Sequence, residues 1–152
     1  MTKHSCELNV NKKTVKKRFK KNNNESQIKF LRELNVYLLA KQKGLKFIPN
    51  LIRYDIVKKE LVTENVGKSL GLIPEEDWQD REKHLPGISK IYKKLEKYGL
   101  YHNDLRYKNI IWNKCNNKYY LIDFESTSQV NEESDGDYIQ RNIQNKILKK
   151  KK

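Results

Sequence analysis

The chain has 152 residues, of which 36% are hydrophobic and 34% charged, with a net charge of +14. That length suits one domain with a sizeable core, and no apolar run approaches the roughly 18 residues that a membrane-crossing helix needs. Two cysteines, Cys6 and Cys115, are too few for a disulfide framework or a four-cysteine zinc site, and the N-terminus has no apolar signal core, so a reducing, cytoplasmic setting is expected. The charge is unevenly placed. Seven bases fall in residues 12–21 and five in 146–152, with no acid in either segment, so the remainder is close to neutral. A lysine-rich end of this kind is expected to be a solvated tail before it is a nucleic-acid contact, although RNA or a partner protein is the ligand such ends would take.

In chain order, Glu7–Val10 and Thr14–Phe19 read as strands around the turn Asn11-Lys12-Lys13. Asn24 with Gln27 three residues on predicts a helix start. Ile28, Leu31, Leu34 and Leu38 then recur at helical spacing until Gly44 stops the run. Leu51–Ile56 and Glu60–Thr63 predict a second hairpin. A second helix carries Ile88, Ile91, Leu95 and Tyr98 and ends at Gly99. Asn109–Trp112 and Tyr119–Ile122 predict a third hairpin. Residues 22–24, 67–86 and 126–135 read as loops, and a last helix over Asp137–Leu148 would gather Tyr138, Ile139, Ile143 and Ile147 on one side.

The informative stretch is His102-Asn103-Asp104-Leu105-Arg106-Tyr107-Lys108-Asn109, followed by Leu121-Ile122-Asp123-Phe124. It resembles the catalytic loop and metal-binding motif of the protein-kinase-like superfamily, where His-x-Asp-Leu-x-x-x-x-Asn lies between a helix and a hairpin ending in Asp-Phe-Gly. The resemblance implies an α+β, truncated two-lobe kinase-like fold: a small antiparallel N-lobe sheet with one helix (residues 1–64), a hinge (65–67), a short, mainly helical C-lobe (68–148) and a basic tail (149–152). It also implies ATP and Mg2+ as cofactors. Asp104 takes the place of the hydroxyl-orienting base, and Asn109 and Asp123 those of the metal ligands. His102 is expected to support the loop rather than carry protons.

On the N-terminal side, Lys17 corresponds to the strand lysine that contacts phosphates, and Glu33, sixteen residues later, to its helical partner. Lys17 is preferred to Lys16 because it shares a strand face with Val15, and Glu33 to Glu25 because Glu25 lies in the first helical turn. Glu64, Asn65 and Val66 resemble the hinge whose backbone bonds adenine. Arg106 and Lys108 are placed to steady the transferring phosphoryl, surface charge being the alternative for each. Any of these residues alone has an ordinary structural reading; their joint spacing carries the resemblance.

The resemblance spans about residues 14–125, with departures. No Gly-x-Gly-x-x-Gly precedes Lys17, so the first strand and phosphate-covering loop are expected to be shortened or absent. Glu125 replaces the glycine after Asp-Phe, as in choline and aminoglycoside kinases, which also carry His-Asn-Asp. No Ala-Pro-Glu follows, which is similar to RIO-type kinases and the kinase of the tRNA threonylcarbamoyl machinery. Asp137-Tyr138 fits that comparison. Two functions follow as expectations. The first is an ATP- and Mg-dependent phosphotransferase acting on a protein serine or threonine, a small alcohol or water. The alternative is a catalytically silent kinase-fold binding module.

Overall fold

The computed structural model describes residues 6–72 and 82–129. The expected last helix over 137–148, Asp137-Tyr138 and the basic tail lie outside the described residues. Four strands, β1 (Cys6–Val10), β2 (Thr14–Phe19), β3 (Leu51–Asp55) and β4 (Glu60–Glu64), form one antiparallel sheet in the order β1-β2-β4-β3. The β1–β2 turn forms because Asn11 Oδ1 accepts from the Lys13 and Thr14 N–H groups, the local bonding by which asparagine favours turns. The register pairs Leu8 with Lys17 and Val10 with Val15 on one side of β2, and Leu61 with Lys17 and Thr63 with Val15 on the other. Directly paired residues share a sheet face, so these six side chains stand on one face together.

Helix α1 (Asn24–Lys43) follows β2. Its cap is Asn23, not Asn24: the Asn23 side chain accepts from Ser26 N–H at 2.8 Å, and Gly44 closes the helix in the left-handed region at φ 67°. The expected apolar face is also displaced. Ile28, Leu31 and Leu38 are exposed, Ile28 at 49%, whereas Ser26, Phe30, Glu33, Leu34, Val36, Tyr37 and Ala40 are buried. The helix is turned so that Glu33 faces inward with Phe30, whose ring meets Phe19 edge-on at 6.0 Å.

Helix α2 (Leu85–Lys97) begins with Pro86 in its first turn and buries Leu85, Ile88, Ile91, Tyr92 and Leu95, while Tyr98, expected on that stripe, is exposed. Gly87 lies against the Tyr119 ring where a Cβ would collide. Two small antiparallel sheets follow. β5 (Leu100–Tyr101) pairs with β8 (Ser128–Gln129), inside the stretch expected to be loop, and β6 (Ile110–Asn113) pairs with β7 (Lys118–Leu121). The two halves share a continuous apolar core from Phe19 and Phe30 to Leu95, Ile110, Leu121 and Phe124. They are also joined by the Leu121 N–H donating to Phe47 O at 2.8 Å and by Asn113 Nδ2 donating to Val66 O at 2.8 Å. Among the described residues no helix is long and apolar enough to cross a membrane.

Candidate active site

The loop between β5 and β6 is built on His102, which is fully buried. Its Nδ1 accepts from the Asp104 N–H at 3.1 Å, which puts the ring proton on Nε2, where it donates to Ile122 O at 2.8 Å. Burial holds this imidazole below the ordinary histidine pKa, outweighing the Ile122 bond and the nearby Asp123 and Asp104 carboxylates, so it is neutral at pH 7. One side chain thus fixes the segment before Asp104 to the segment before Asp123. Asn103 sits in the left-handed region at φ 68° and donates through Nδ2 to Ser126 O and Ser128 Oγ, both at 2.9 Å, adding a second tie to the chain beyond Asp123.

Asp104 is held from two sides. Asn109 Nδ2 donates to its main-chain oxygen at 2.7 Å and to Oδ2 at 3.1 Å, and Arg106 Nε pairs with Oδ1 at 2.7 Å. Arg106 therefore meets the candidate base directly while more than half of its side chain remains in solvent; Lys108 is exposed. Asn109 lies on a single 3-10 turn before β6 rather than on the strand, and its main-chain oxygen accepts from the Ile122 N–H at 3.0 Å. With Nδ2 occupied, Oδ1 is the atom this amide has left for a cation.

Across the site, the Lys17 ammonium stands 2.8 Å from Glu33 Oε1 and 3.3 Å from Asp123 Oδ1. Lys16, on the opposite face of β2, pairs instead with Glu60 at 3.5 Å, and Glu25 pairs with Lys29 in the first turn of α1. Glu33 is 1% exposed; Oε1 faces the ammonium alone, and Oε2 accepts the Phe124 N–H at 2.8 Å. The Phe124 ring in turn packs against Tyr37 of α1 at 5.5 Å and His102 at 5.2 Å. A hydrogen bond and two ring contacts therefore couple α1, the loop that carries His102 and the segment after Asp123.

The charge balance is acidic. Burial alone would lower the Lys17 pKa, but Glu33, Asp123 and Glu125 together raise it well above its ordinary value, so it stays charged. Burial pushes Asp123 up, and Lys17 and His102 outweigh this to hold the carboxyl below its ordinary value. Glu125, hydrogen-bonded to Asp123, is raised by burial and by the neighbouring Asp123 and Glu33 charges, which outweigh Lys17. Asp123, itself at φ 63°, follows Ile122, whose N–H ties this segment to the Asn109 main-chain oxygen; a carboxylate and an amide oxygen on these two joined segments are hard donors of the kind that suits Mg2+. Among the described residues no group of three or more His, Cys, Asp or Glu could by itself hold a metal ion, so a cation here would also need the Asn109 amide oxygen.

At the hinge, the Glu64 and Asn65 N–H groups are taken by the Asn50 and Lys13 carbonyls, and Val66 O accepts from Asn113. Of the three expected base-binding residues, only Val66 keeps an N–H without a partner among the described residues. Val66, Ile111 and Tyr120 form a small apolar cluster with Ile122 packed against it.

A family model described as the RIO domain matches residues 3–150. The chain belongs to the RIO-domain family. Its fold is similar to that of the bifunctional kinase-methyltransferase WbdD, with a TM-score of 0.64 and 20% identity, covering 95% of this chain and 35% of that one. At that identity the likeness speaks for a kinase-like fold alone. No curated protein matches. The family generally uses ATP and Mg2+.

In this RIO domain the spacing-derived residues meet as two linked groups, Lys17-Glu33-Asp123 and Asp104-Arg106-Asn109, while Glu64 and Asn65 are turned to structural bonds. Sequence reasoning missed Asn103 and Tyr37. A polar residue between His102 and Asp104 gave a weak signal for the first. Tyr37, one helical turn beyond Glu33, follows once Glu33 is taken as buried. Glu125 was visible as a letter where glycine is usual, but its place in the charge cluster was not.

Proposed function

We propose that this RIO domain is an ATP- and Mg-dependent phosphotransferase acting on a hydroxyl acceptor, a protein serine or threonine or a small alcohol. The observation that carries the proposal is the Lys17 ammonium shared between Glu33 and Asp123, within a hydrogen-bonded frame that also holds Asp104 and Asn109. Lys17 binds and orients nucleotide phosphates, and Glu33 keeps it extended. Val66 N–H addresses the base, with Ile111 and Ile122 clustered beside Val66 and with Val10 and Val15 on the sheet face that carries Lys17. Asn109 and Asp123 hold Mg2+, which when bound neutralises charge on the phosphates. Asp104, aimed by Arg106 and Asn109, accepts the proton of the acceptor hydroxyl as that oxygen bonds to the γ-phosphorus and the bond from phosphorus to the ADP oxygen breaks, and the exposed edge of Arg106 faces the transferring group.

The second reading, a silent binding module with basic ends on RNA or protein, is favoured by one observation. The strand paired beside Lys17 carries Leu8 and Val10, both exposed, and no glycine, so the usual phosphate-covering loop has no counterpart there. Magnesium-dependent ATP turnover by the purified chain, with Asp123→Asn as control, separates the two: turnover lost in the variant supports the enzyme, and equal rates in both proteins remove it.

A further inference from the structure

Three carboxyl groups, Glu33, Asp123 and Glu125, surround one ammonium, Lys17. Glu33 is committed to Lys17 and to the Phe124 N–H. Asp123 and Glu125 are left hydrogen-bonded to one another, and Glu125 Oε2 is buried with no hydrogen-bond partner among the described residues. A buried carboxylate oxygen with no donor is costly unless something positive reaches it. The ion pairs that Lys17 makes among the described residues go to Glu33 and Asp123, not to Glu125. The Asp-Phe-Gly motif that this segment resembles has no side chain at the Glu125 position, so the site has one carboxylate more than the assigned roles use.

We infer that Glu125 is a further ligand of the divalent cation, its Oε2 joining Asp123 and Asn109 Oδ1, so that this chain holds the cation before nucleotide arrives. The inference rests on the phosphotransferase reading for the place of the cation and goes beyond it in the residue and in the order of binding. Hard divalent ions gain affinity with each anionic oxygen in a site, and a set of one carboxylate and one amide ordinarily needs the phosphates to complete it. A second carboxylate removes that dependence.

The test is manganese(II) binding by the full chain without nucleotide, read from the loss of the free-ion paramagnetic resonance signal, and repeated with ATP. Wild type is expected to bind one ion without ATP. Glu125→Gly and the near-isosteric Glu125→Gln are each expected to weaken that binding about tenfold or more, with thermal melting confirming that both fold. Nucleotide-free binding that is unchanged in both variants overturns the inference, as does wild-type binding that appears only with ATP; either result leaves the Asp123 and Asn109 assignment standing. No binding by wild type with or without ATP overturns the phosphotransferase metal site as well. Binding lost in Glu125→Gly but retained in Glu125→Gln assigns the residue a packing role and also refutes ligation.

Discussion

Lys17→Met exposes how the buried charges are balanced. The substitution keeps most of the length of the side chain's apolar stem and removes the ammonium 2.8 Å from Glu33 and 3.3 Å from Asp123. Glu33, with a side chain 2% exposed, is then an uncompensated buried carboxylate whose one remaining donor is the Phe124 N–H. Breaking a buried pair costs about 3–5 kcal/mol, and because Lys17 and Asp123 retain some solvent contact we expect about 2–4 kcal/mol here. At about 2–4 °C per kcal/mol for a chain of this size, the melting temperature falls by roughly 5–15 °C. Adding Glu33→Gln removes the stranded charge and keeps an oxygen for Phe124 N–H, so the double variant is expected to regain about 1–2 kcal/mol over Lys17→Met. Chemical denaturation of the four proteins in the cycle measures this coupling. A double variant less stable than Lys17→Met by the full cost of Glu33→Gln alone would refute the buried-pair account.

The remaining predictions probe the loop, the packing and the chemistry. Because the folded His102 pKa is depressed, its stabilising contribution is complete above about pH 6.5 and is lost as pH falls, at up to about 1.4 kcal/mol per pH unit. Melting temperatures between pH 7 and 5 should therefore drop more steeply for wild type than for His102→Asn, and parallel slopes would contradict it. Gly87→Ala should destabilise by about 1–3 kcal/mol although alanine favours helix, because the new methyl meets the Tyr119 ring; a rise in melting temperature would show that the ring can move aside. Asp104→Asn should leave ATP affinity largely intact and lower single-turnover phosphoryl transfer about 10²–10⁴-fold, undiminished transfer removing Asp104 from the chemistry.

Much of this architecture is legible in the sequence because its polar residues sit in strongly apolar frames. Asp123 lies one residue beyond the buried pair Tyr120-Leu121, with Ile122 between them, and Asn109 precedes Ile110-Ile111, so the ends of that hairpin announce themselves. The inner face of α1 is not legible by counting apolar residues. Its buried stripe includes Ser26 and Glu33, and burial of Glu33 makes sense only once Lys17, on a distant strand, is known to meet it. The run Asn22-Asn23-Asn24 offers three equivalent caps, so composition cannot choose Asn23. The β5–β8 pair is two residues on each side, too short to carry a period, and is held in place by Asn103 rather than by any pattern of its own. The hinge shows the opposite failure. Its spacing was readable, but whether an N–H faces a base or another strand depends on the register of β4 with β2 and β3.

Two residues flanking the site, Asn103 and Asp123, hold left-handed backbone conformations that cost most L-residues about 1 kcal/mol or more. Each is fixed by bonds reaching into the other's segment: Asn103 to Ser126 and Ser128, and the carbonyl before Asp123 to His102. The two loops therefore constrain one another, and neither can relax its backbone without releasing the other. That reciprocity, rather than any contact from the β1 edge, is what sets Asp104 relative to Asp123. The relative placement of Asp104, proposed as the base, and Asp123, proposed as a metal ligand, is thus set within these two loops themselves.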